Sequence, residues 1–324
     1  MAQASPSLLH SAGWVGQCLE ETRWTAWQPL GMLGEGTHSL AVLVARGSRK
    51  AVLLMDRPNK PPPSPGFPSS IEAYRSCSLI RRECKRLGIR VPLTVGAPRE
   101  WSGGAAVLMS RLRGEDHGRA IQSRAMDARN IGRQVARIVA QSRGLAQASP
   151  EHSVGFGRHL FGQPGPASSN AEVYRLWGAH LRGREPEIDD LMDGIQELAD
   201  AWLPLAPRTT QVWDVGDRNV MVEGTDRVVG LVDQVDMVTG DPMFVPGFCS
   251  AMLGDIHSWD HVDDYLRGWV EEWQADEGEQ ARIALHRLAS HGRIAGKAWG
   301  FSGIRPASID HWTRQAKELL SRHQ

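Results

Sequence analysis

Val212-Trp213-Asp214-Val215-Gly216-Asp217-Arg218-Asn219-Val220-Met221-Val222, then the turn Glu223-Gly224-Thr225-Asp226, then Arg227 and Val228-Val229-Gly230-Leu231-Val232-Asp233, is the stretch on which the reading of this 324-residue chain turns. Thr210–Val222 and Val228–Val232 are β-like on either side of a Gly-containing turn. Asp214 and Asn219 stand five apart in what reads as a loop, and Asp233 closes the following strand. That set suits phosphoryl transfer: one carboxylate can accept a hydroxyl proton, while an amide oxygen and a second carboxylate are hard ligands for Mg²⁺. Asp and Asn are also ordinary turn formers, so the spacing alone leaves a structural reading open.

Upstream, residues 27–33 read as a first strand running into Gly34-Glu35-Gly36-Thr37. Ser39–Ala45 and Lys50–Met55 follow as two strands joined by the short connection Arg46-Gly47-Ser48-Arg49. Asp56–Ser70 carries six prolines and is expected to be an exposed loop. Ser69-Ser70-Ile71-Glu72 opens a helix that runs to Leu87 and stops at Gly88. Val91–Val95 and Ala105–Met109 read as further strands, completing a small sheet with one helix. Ser110–Asp116, polar and containing Gly114, reads as a hinge. Beyond it helices dominate: Asp127–Arg143 with its apolar positions three and four apart, Ala171–Arg182, Ile188–Leu203, His261–Gln274, Glu277–Ala289 and Ser308–His323.

The formal charge is zero, but it is unevenly spread. Residues 1–115 hold 15 basic and 8 acidic side chains, a net of +7, and the remainder holds 22 against 29, a net of −7. The length suits two lobes. There is no apolar run of about 18 residues and no basic, apolar leader, so a cytoplasmic protein without membrane contact is expected. Cys18, Cys77, Cys84 and Cys249 lack metal-ligand spacing and read as reduced thiols. No nucleic-acid recognition motif accompanies the basic half.

Small-molecule kinases of the aminoglycoside phosphotransferase and choline kinase type carry H-G-D-x-x-x-x-N, an apolar strand, a turn, an I-D-W-type strand end and a G-D-P. This chain resembles them through Asp214, Asn219, Asp233 and Gly240-Asp241-Pro242, at matching separations. The resemblance implies an α+β, bilobal, protein-kinase-like fold. An antiparallel N-lobe (residues 1–112) would bind nucleotide, and a mostly helical C-lobe (residues 113–324) would carry the catalytic loop, metal site and acceptor-binding helices. It implies Asp214 as catalytic base, Asn219 and Asp233 as metal ligands, and ATP and Mg²⁺ as cofactors. Gly31–Thr37 is similar to the family's glycine-rich loop, giving nucleotide roles to Gly34 and Gly36. Val107–Glu115 is similar to its hinge, giving Met109, Ser110 and Arg111 to the adenine. Asn130–Gln141 is similar to the family helix ending in L-A-x-L-H.

Three departures stand out. The third strand should carry a phosphate-gripping lysine, but Leu54 or Met55 stands there. Lys50 and Arg57 flank that position as substitute phosphate contacts, and Glu72 is the candidate for the lysine's helix partner. Val212-Trp213 replaces His-Gly before the base, which assigns Trp213, with Asp217 and Asp236, to the acceptor pocket. Val245 stands where the family often has an Asp. The function so implied is transfer of the γ-phosphate of ATP to a hydroxyl, on an antibiotic-like small molecule or on a peptide Ser or Thr. The alternative is a pseudokinase that binds nucleotide or a partner without turnover. Acidic segments at Glu185–Pro207 and Asp255–Glu279 favour a cationic acceptor, an amine-bearing small molecule or a basic peptide.

Overall fold

The computed structural model describes residues 6–35, 39–58, 69–145, 153–155, 186–233, 237–256, 259–295 and 306–323. The chain divides into two compact units, Met1–Leu112 and Arg113–Gln324. The α+β expectation holds: the first unit is built on an antiparallel sheet and the second is mostly helical.

In the first unit, helix α1 (Pro6–Glu21) precedes strands β1 (Gln28–Glu35), β2 (Ser39–Arg46) and β3 (Arg49–Asp56), which pair in sequence. Helix α2 (Ser70–Arg86) and strands β4 (Arg99–Trp101) and β5 (Gly104–Ser110) complete it, and the sheet order is β1-β2-β3-β5-β4. Side chains alternate across β3 because its pleat has a period of two. Ala51, Leu53 and Met55 pack with Val15, Cys18 and Leu19 of α1. Leu54 belongs to the opposite layer, with Tyr74 and Ile71 of α2. The start of α2 is fixed by a capping box, in which the Ser69 hydroxyl accepts from Glu72 N–H and the Glu72 carboxylate accepts from Ser69 N–H at 2.9 Å. Its end is set by Gly88, whose φ of +78° suits a residue without a side chain.

Two parts of this unit differ from expectation. Helix α1 was not foreseen; Gln17 holds it down by donating to Ser102 at 2.9 Å. Val91–Val95 is not a ladder strand. Pro92 removes a donor there, and the segment instead trades hydrogen bonds with β5 at Leu93, Thr94 and Val95. The fifth strand is β4, turned back on β5 through Ser102-Gly103. Gly104 adopts φ +130° against Asp56, whose Oδ2 accepts from Ala105 N–H at 2.8 Å. The ten central residues of the proline-rich loop and the expected helix Ala171–Arg182 lie outside the described residues.

The second unit opens with β6 (Glu115–Asp116), α3 (His117–Ser123) and α4 (Ala128–Ser142), the last capped by Asp127. After β7 (Ser153–Gly155) come α5 (Pro186–Trp202), β8 (Thr209–Val212), β9 (Val220–Glu223), β10 (Arg227–Leu231) and β11 (Met237–Gly240). Helices α6 (Phe244–Ile256), α7 (Trp259–Trp273), α8 (Glu277–Ala295) and α9 (Pro306–His323) follow. The strands form two small sheets, β10-β9-β6 and β7-β11-β8. Among the described residues no helix is long and apolar enough to cross a membrane. All four cysteines are buried and free.

Helices α4 and α7 approach through glycine. A Cβ on Gly132 would lie 2.1 Å from the Tyr265 carbonyl, and one on Gly268 would lie 2.0 Å from the Arg129 carbonyl. Beside that crossing, Arg129 and Arg133 both donate to Glu271, and Arg137 donates to Glu272. Hydrogen bonds from Arg129 and then Arg133 pull the Glu271 carboxyl down to about 2.

Gly268→Ala should therefore lower the unfolding free energy of the second unit by about 1–3 kcal/mol, the usual range for overpacking. Gly13→Ala on α1, with nothing within 4 Å, should cost nothing. Urea denaturation of both variants checks this. Glu271 binds fewer protons folded than unfolded, so its stabilisation is present above 4.5 and is lost as pH falls toward about 2. Glu271→Gln should flatten acid denaturation across that window, read as the pH dependence of the urea midpoint.

Candidate functional site

The loop of residues 213–219 is held largely by backbone. Val212, Trp213 and Val215 are buried, and the Trp213 ring packs against Phe244 and Phe248 of α6 with centroids 6.2 and 5.0 Å apart. Trp213 is a core residue, and not the pocket wall that the sequence suggested. Its carbonyl accepts from Val215 N–H at 2.9 Å and from the Cys249 thiol at 3.7 Å. Burial, then the nearby Asp214 charge, push that thiol's pKa well up, so it stays a neutral donor. The chain then turns tightly, with Asn219 and Val220 N–H both donating to the Gly216 carbonyl at 3.0 and 3.2 Å.

Asn219 closes the loop on itself. Its side-chain Nδ2 donates to the Asp214 carbonyl at 3.1 Å, which turns the amide oxygen away from that bond. Its own carbonyl accepts from Val232 N–H at 2.8 Å. Since Val220 pairs with Leu231 in the β9–β10 ladder, Asn219 and Asp233 emerge from the same end of adjacent strands. Asp233 is exposed and has a φ of +57°. For a residue with a side chain this left-handed conformation costs on the order of 1 kcal/mol, a form of strain that gathers at functional sites. Asp214, Asn219 and Asp233 are thus brought together, with Asp214 half-buried.

Asp217 is buried, at 6 % exposure, and braces the loop. Its carbonyl accepts from Gly118 N–H at 3.0 Å, and a Cβ on Gly118 would sit 2.4 Å from its Oδ2. Sequence reasoning missed Gly118; the Glu115-Asp116-His117-Gly118 run has no periodicity, and the one available signal, Asp116 as an N-cap residue type for α3, was not used. Arg218, next to Asp217, is exposed. Asp241 of the Gly-Asp-Pro run is an anchor. It accepts from His286, Arg282 and Met243 N–H at 3.0, 3.1 and 3.0 Å. Burial alone would raise its pKa, but the bond and charge of His286 hold it below the ordinary value. Asp241 thereby fixes the start of α6, the helix beneath Trp213. Asp236 and Gly36 lie outside the described residues.

In the first unit, Gly34 is the penultimate residue of β1. Glu35, after it, pairs with Arg57 at 2.9 Å. Lys50 is exposed at the other end of β3. Leu54, facing α2, stands in the layer from which a β3 lysine would reach, whereas Met55 points into the α1-facing core. Glu72 is exposed, and hydrogen bonds from the Ser69 hydroxyl and then the Ser69 backbone lower its pKa. Its carboxylate serves the α2 cap in place of a lysine partner. Met109 is buried. Ser110 exchanges hydrogen bonds with Leu93, N–H to carbonyl at 2.7 Å and hydroxyl from N–H at 2.8 Å. Arg111, beyond the strand, is exposed.

A family model described as a phosphotransferase enzyme family, APH, matches residues 33–278. No curated protein matches the chain. Among solved structures, the chain is similar to a mutant aminoglycoside 2'-phosphotransferase-IIIa in complex with GDP, at 14% identity and a TM-score of 0.60, covering 97% of this chain and 96% of that one. It is similar to a thermostable mutant of APH(4)-Ia in ternary complex with ADP and hygromycin B, at 14% identity and 0.61, covering 94% and 96%. The GDP and kanamycin complex of APH(2'')-IIIa gives 12% identity and 0.57, covering 96% and 97%. At such identities these likenesses speak for the fold, and the fold is kinase-like.

The brace at Gly118 has a direct check. Gly118→Ala must displace the Asp217 carboxylate, so a peptide covering residues 214–222 should exchange its amide hydrogens markedly faster than in the unaltered protein. Gly216→Ala, whose Cβ meets only Asp214 Oδ1 at 3.8 Å, should leave that exchange nearly unchanged. Equal exchange in the two variants would contradict the brace.

Proposed function

Because the chain belongs to the phosphotransferase enzyme family, we propose that it moves the γ-phosphoryl group of ATP to a hydroxyl of a small molecule, with Asp214 as base and Asn219 and Asp233 as ligands of Mg²⁺. What supports this reading is that the backbone brings Asp214, Asn219 and Asp233 to one end of the β9–β10 pair. The donor set fits the ion. Asn219 is oriented through its nitrogen, which leaves an amide oxygen for a hard cation, and Asp233 adds an anionic oxygen on a strained, exposed residue. Mg²⁺ held there would offset charge on the phosphates. Asp214 takes the proton of the acceptor hydroxyl, whose oxygen forms the new bond to the γ-phosphorus as the bond to the ADP oxygen breaks. Its loop is rigid because Gly118, Cys249 and Asn219 hold it from three sides, and a fixed base needs little reorganisation in the transition state.

Gly34 and Gly36, with the backbone of Met109, Ser110 and Arg111, are the nucleotide contacts we propose. Ser110 N–H is already committed to Leu93, which leaves Arg111 to offer the amide. With Leu54 in the lysine layer and Arg57 engaged by Glu35, Arg218 in the catalytic loop is the cation best placed in sequence to meet the phosphates. A pseudokinase is the second reading, and Leu54 is the observation that favours it.

The acceptor reading narrows. Glu271 and Glu272 are consumed by arginines of α4, Asp264 by Arg267 and Asp263 by Arg287. Much of the acidic field expected from Asp255–Glu279 is therefore neutralised. The stripe of Asp190, Asp193, Glu197 and Asp200 on α5 is solvent-exposed, and we read it as support for a cationic acceptor.

Asp214→Asn should cut phosphoryl transfer by roughly 10²–10⁴-fold while leaving Mg·ATP binding near its starting value, since it removes a base and no ligand. Asp233→Asn should weaken both. Calorimetry with Mg·ATP, and mass spectrometry of a panel of hydroxyl acceptors, separate the two. Leu54→Lys should raise turnover on the order of tenfold by restoring a phosphate contact, whereas Met55→Lys should only destabilise the α1-facing core. Wild type that binds Mg·ATP yet matches Asp214→Asn with every acceptor would favour the pseudokinase.

A further inference from the structure

A second cluster of polar groups, sharing no residue with the proposed catalytic set, gathers around Trp259 at the start of α7. His311 of α9 lies flat on the indole, with centroids 3.5 Å apart and 4° between the planes. His291 of α8 meets its edge at 5.4 Å, and the Arg287 guanidinium lies 5.2 Å from the ring. Arg287, His291 and His311 are buried, at 4%, 6% and 6% exposure.

The protonation pattern follows from one contact. Arg287 Nη2 and His311 Nε2 are 3.2 Å apart, and a guanidinium can only donate. His311 Nε2 is therefore the bare nitrogen, and the proton of the neutral ring sits on Nδ1. Among the described residues, that Nδ1, Arg287 Nε and His291 Nε2 are all buried without a hydrogen-bond partner. Buried donors are ordinarily matched, and three unmatched nitrogens in one cluster stand out against that rule. Among the described residues the carboxylate that meets the cluster is Asp263, which takes Arg287 Nη1 at 3.2 Å and is itself half-exposed. Trp259 adds no acceptor. Among the described residues the cluster is thus rich in donors, poor in acceptors and carries a permanent cation, which is the complement of an oxyanion.

We propose that Arg287, His291 and His311, walled by Trp259, form a binding site for a small oxyanion, a phosphate or a carboxylate. Arg287 Nε and His311 Nδ1 donate to it, and His291, in its Nε2–H tautomer, is the third donor. Two oxygens of the anion complete the unmatched donors, and the Asp263 carboxylate keeps the guanidinium oriented from its other edge. The anion is either free in solution or the acidic group of a larger ligand, and a simple ion probes the chemistry common to both.

The test uses the full chain without nucleotide or Mg²⁺, titrated with sodium phosphate or sodium acetate at an ionic strength held constant with sodium chloride. The melting temperature should rise saturably with at least one of the two anions, and equally in Asp233→Asn, which separates this site from the proposed metal site. The response should weaken at least tenfold in His291→Phe and Arg287→Met. Should either variant fail to fold, ¹⁵N-histidine spectra of the unaltered protein still decide the matter, because imidazole signals of His291 and His311 should move along the same saturation curve. A response to phosphate alone or acetate alone supports the site and names its anion. No saturable response to either, or one that leaves those imidazole signals unmoved, overturns it.

Discussion

The bond from the Asn219 side-chain amide to the Asp214 carbonyl holds the site together. It ties the two ends of a six-residue turn, and the same residue's carbonyl takes Val232 N–H from the neighbouring strand. A single asparagine therefore sets the loop that carries one carboxylate against the strand end that carries another. Around it the protein supplies supports at short range: Gly118 against Asp217, Cys249 against the Trp213 carbonyl, and Asp241 under the start of α6. None of these is a reacting group, yet each limits how far Asp214 can move.

The replacement of His-Gly by Val212-Trp213 acquires a physical meaning in this frame. The indole fills the layer between the loop and α6, tilted against Phe244 and Phe248. A large ring there serves packing, and the loop's orientation comes from backbone hydrogen bonds that do not depend on a histidine. The phosphate-binding side of the chemistry shows the opposite balance. Leu54 completes an apolar layer with Tyr74 and Ile71, so the first unit gained core where a kinase places charge. Glu72 instead closes the α2 cap.

Much of this was legible in the sequence, for stated reasons. Strands β1 to β3 announced themselves by apolar runs between glycine-bearing turns, and α4 by its periodic apolar stripe over an Asp127 cap. That Asp214 and Asn219 share a loop and Asp233 closes the next strand was visible from loop, strand and turn lengths, whereas their roles were implied only by the family resemblance. What stayed hidden lacked a period. Helix α6 is buried on nearly every side and contains Pro246, Gly247 and Gly254, which read as breakers. Strand β4 is three residues long, and its pairing follows from Gly104 seating against Asp56, a contact that only tertiary structure makes. The glycines of the α4–α7 crossing carry no signal of their partner helix in the sequence, whereas in the fold they admit the neighbouring backbone.

In the proposed function Asn219 and Asp233 hold the cation and Asp214 does not. A crystal structure of the protein with Mg²⁺ and a non-hydrolysable ATP analogue measures this directly. The ion should sit about 2.0–2.1 Å from Asn219 Oδ1 and from an Asp233 carboxylate oxygen, with Asp214 outside its coordination shell and facing open space for a hydroxyl. An ion ligated by Asp214, or a nucleotide bound with its metal away from Asn219 and Asp233, would contradict the assignment of base and ligands.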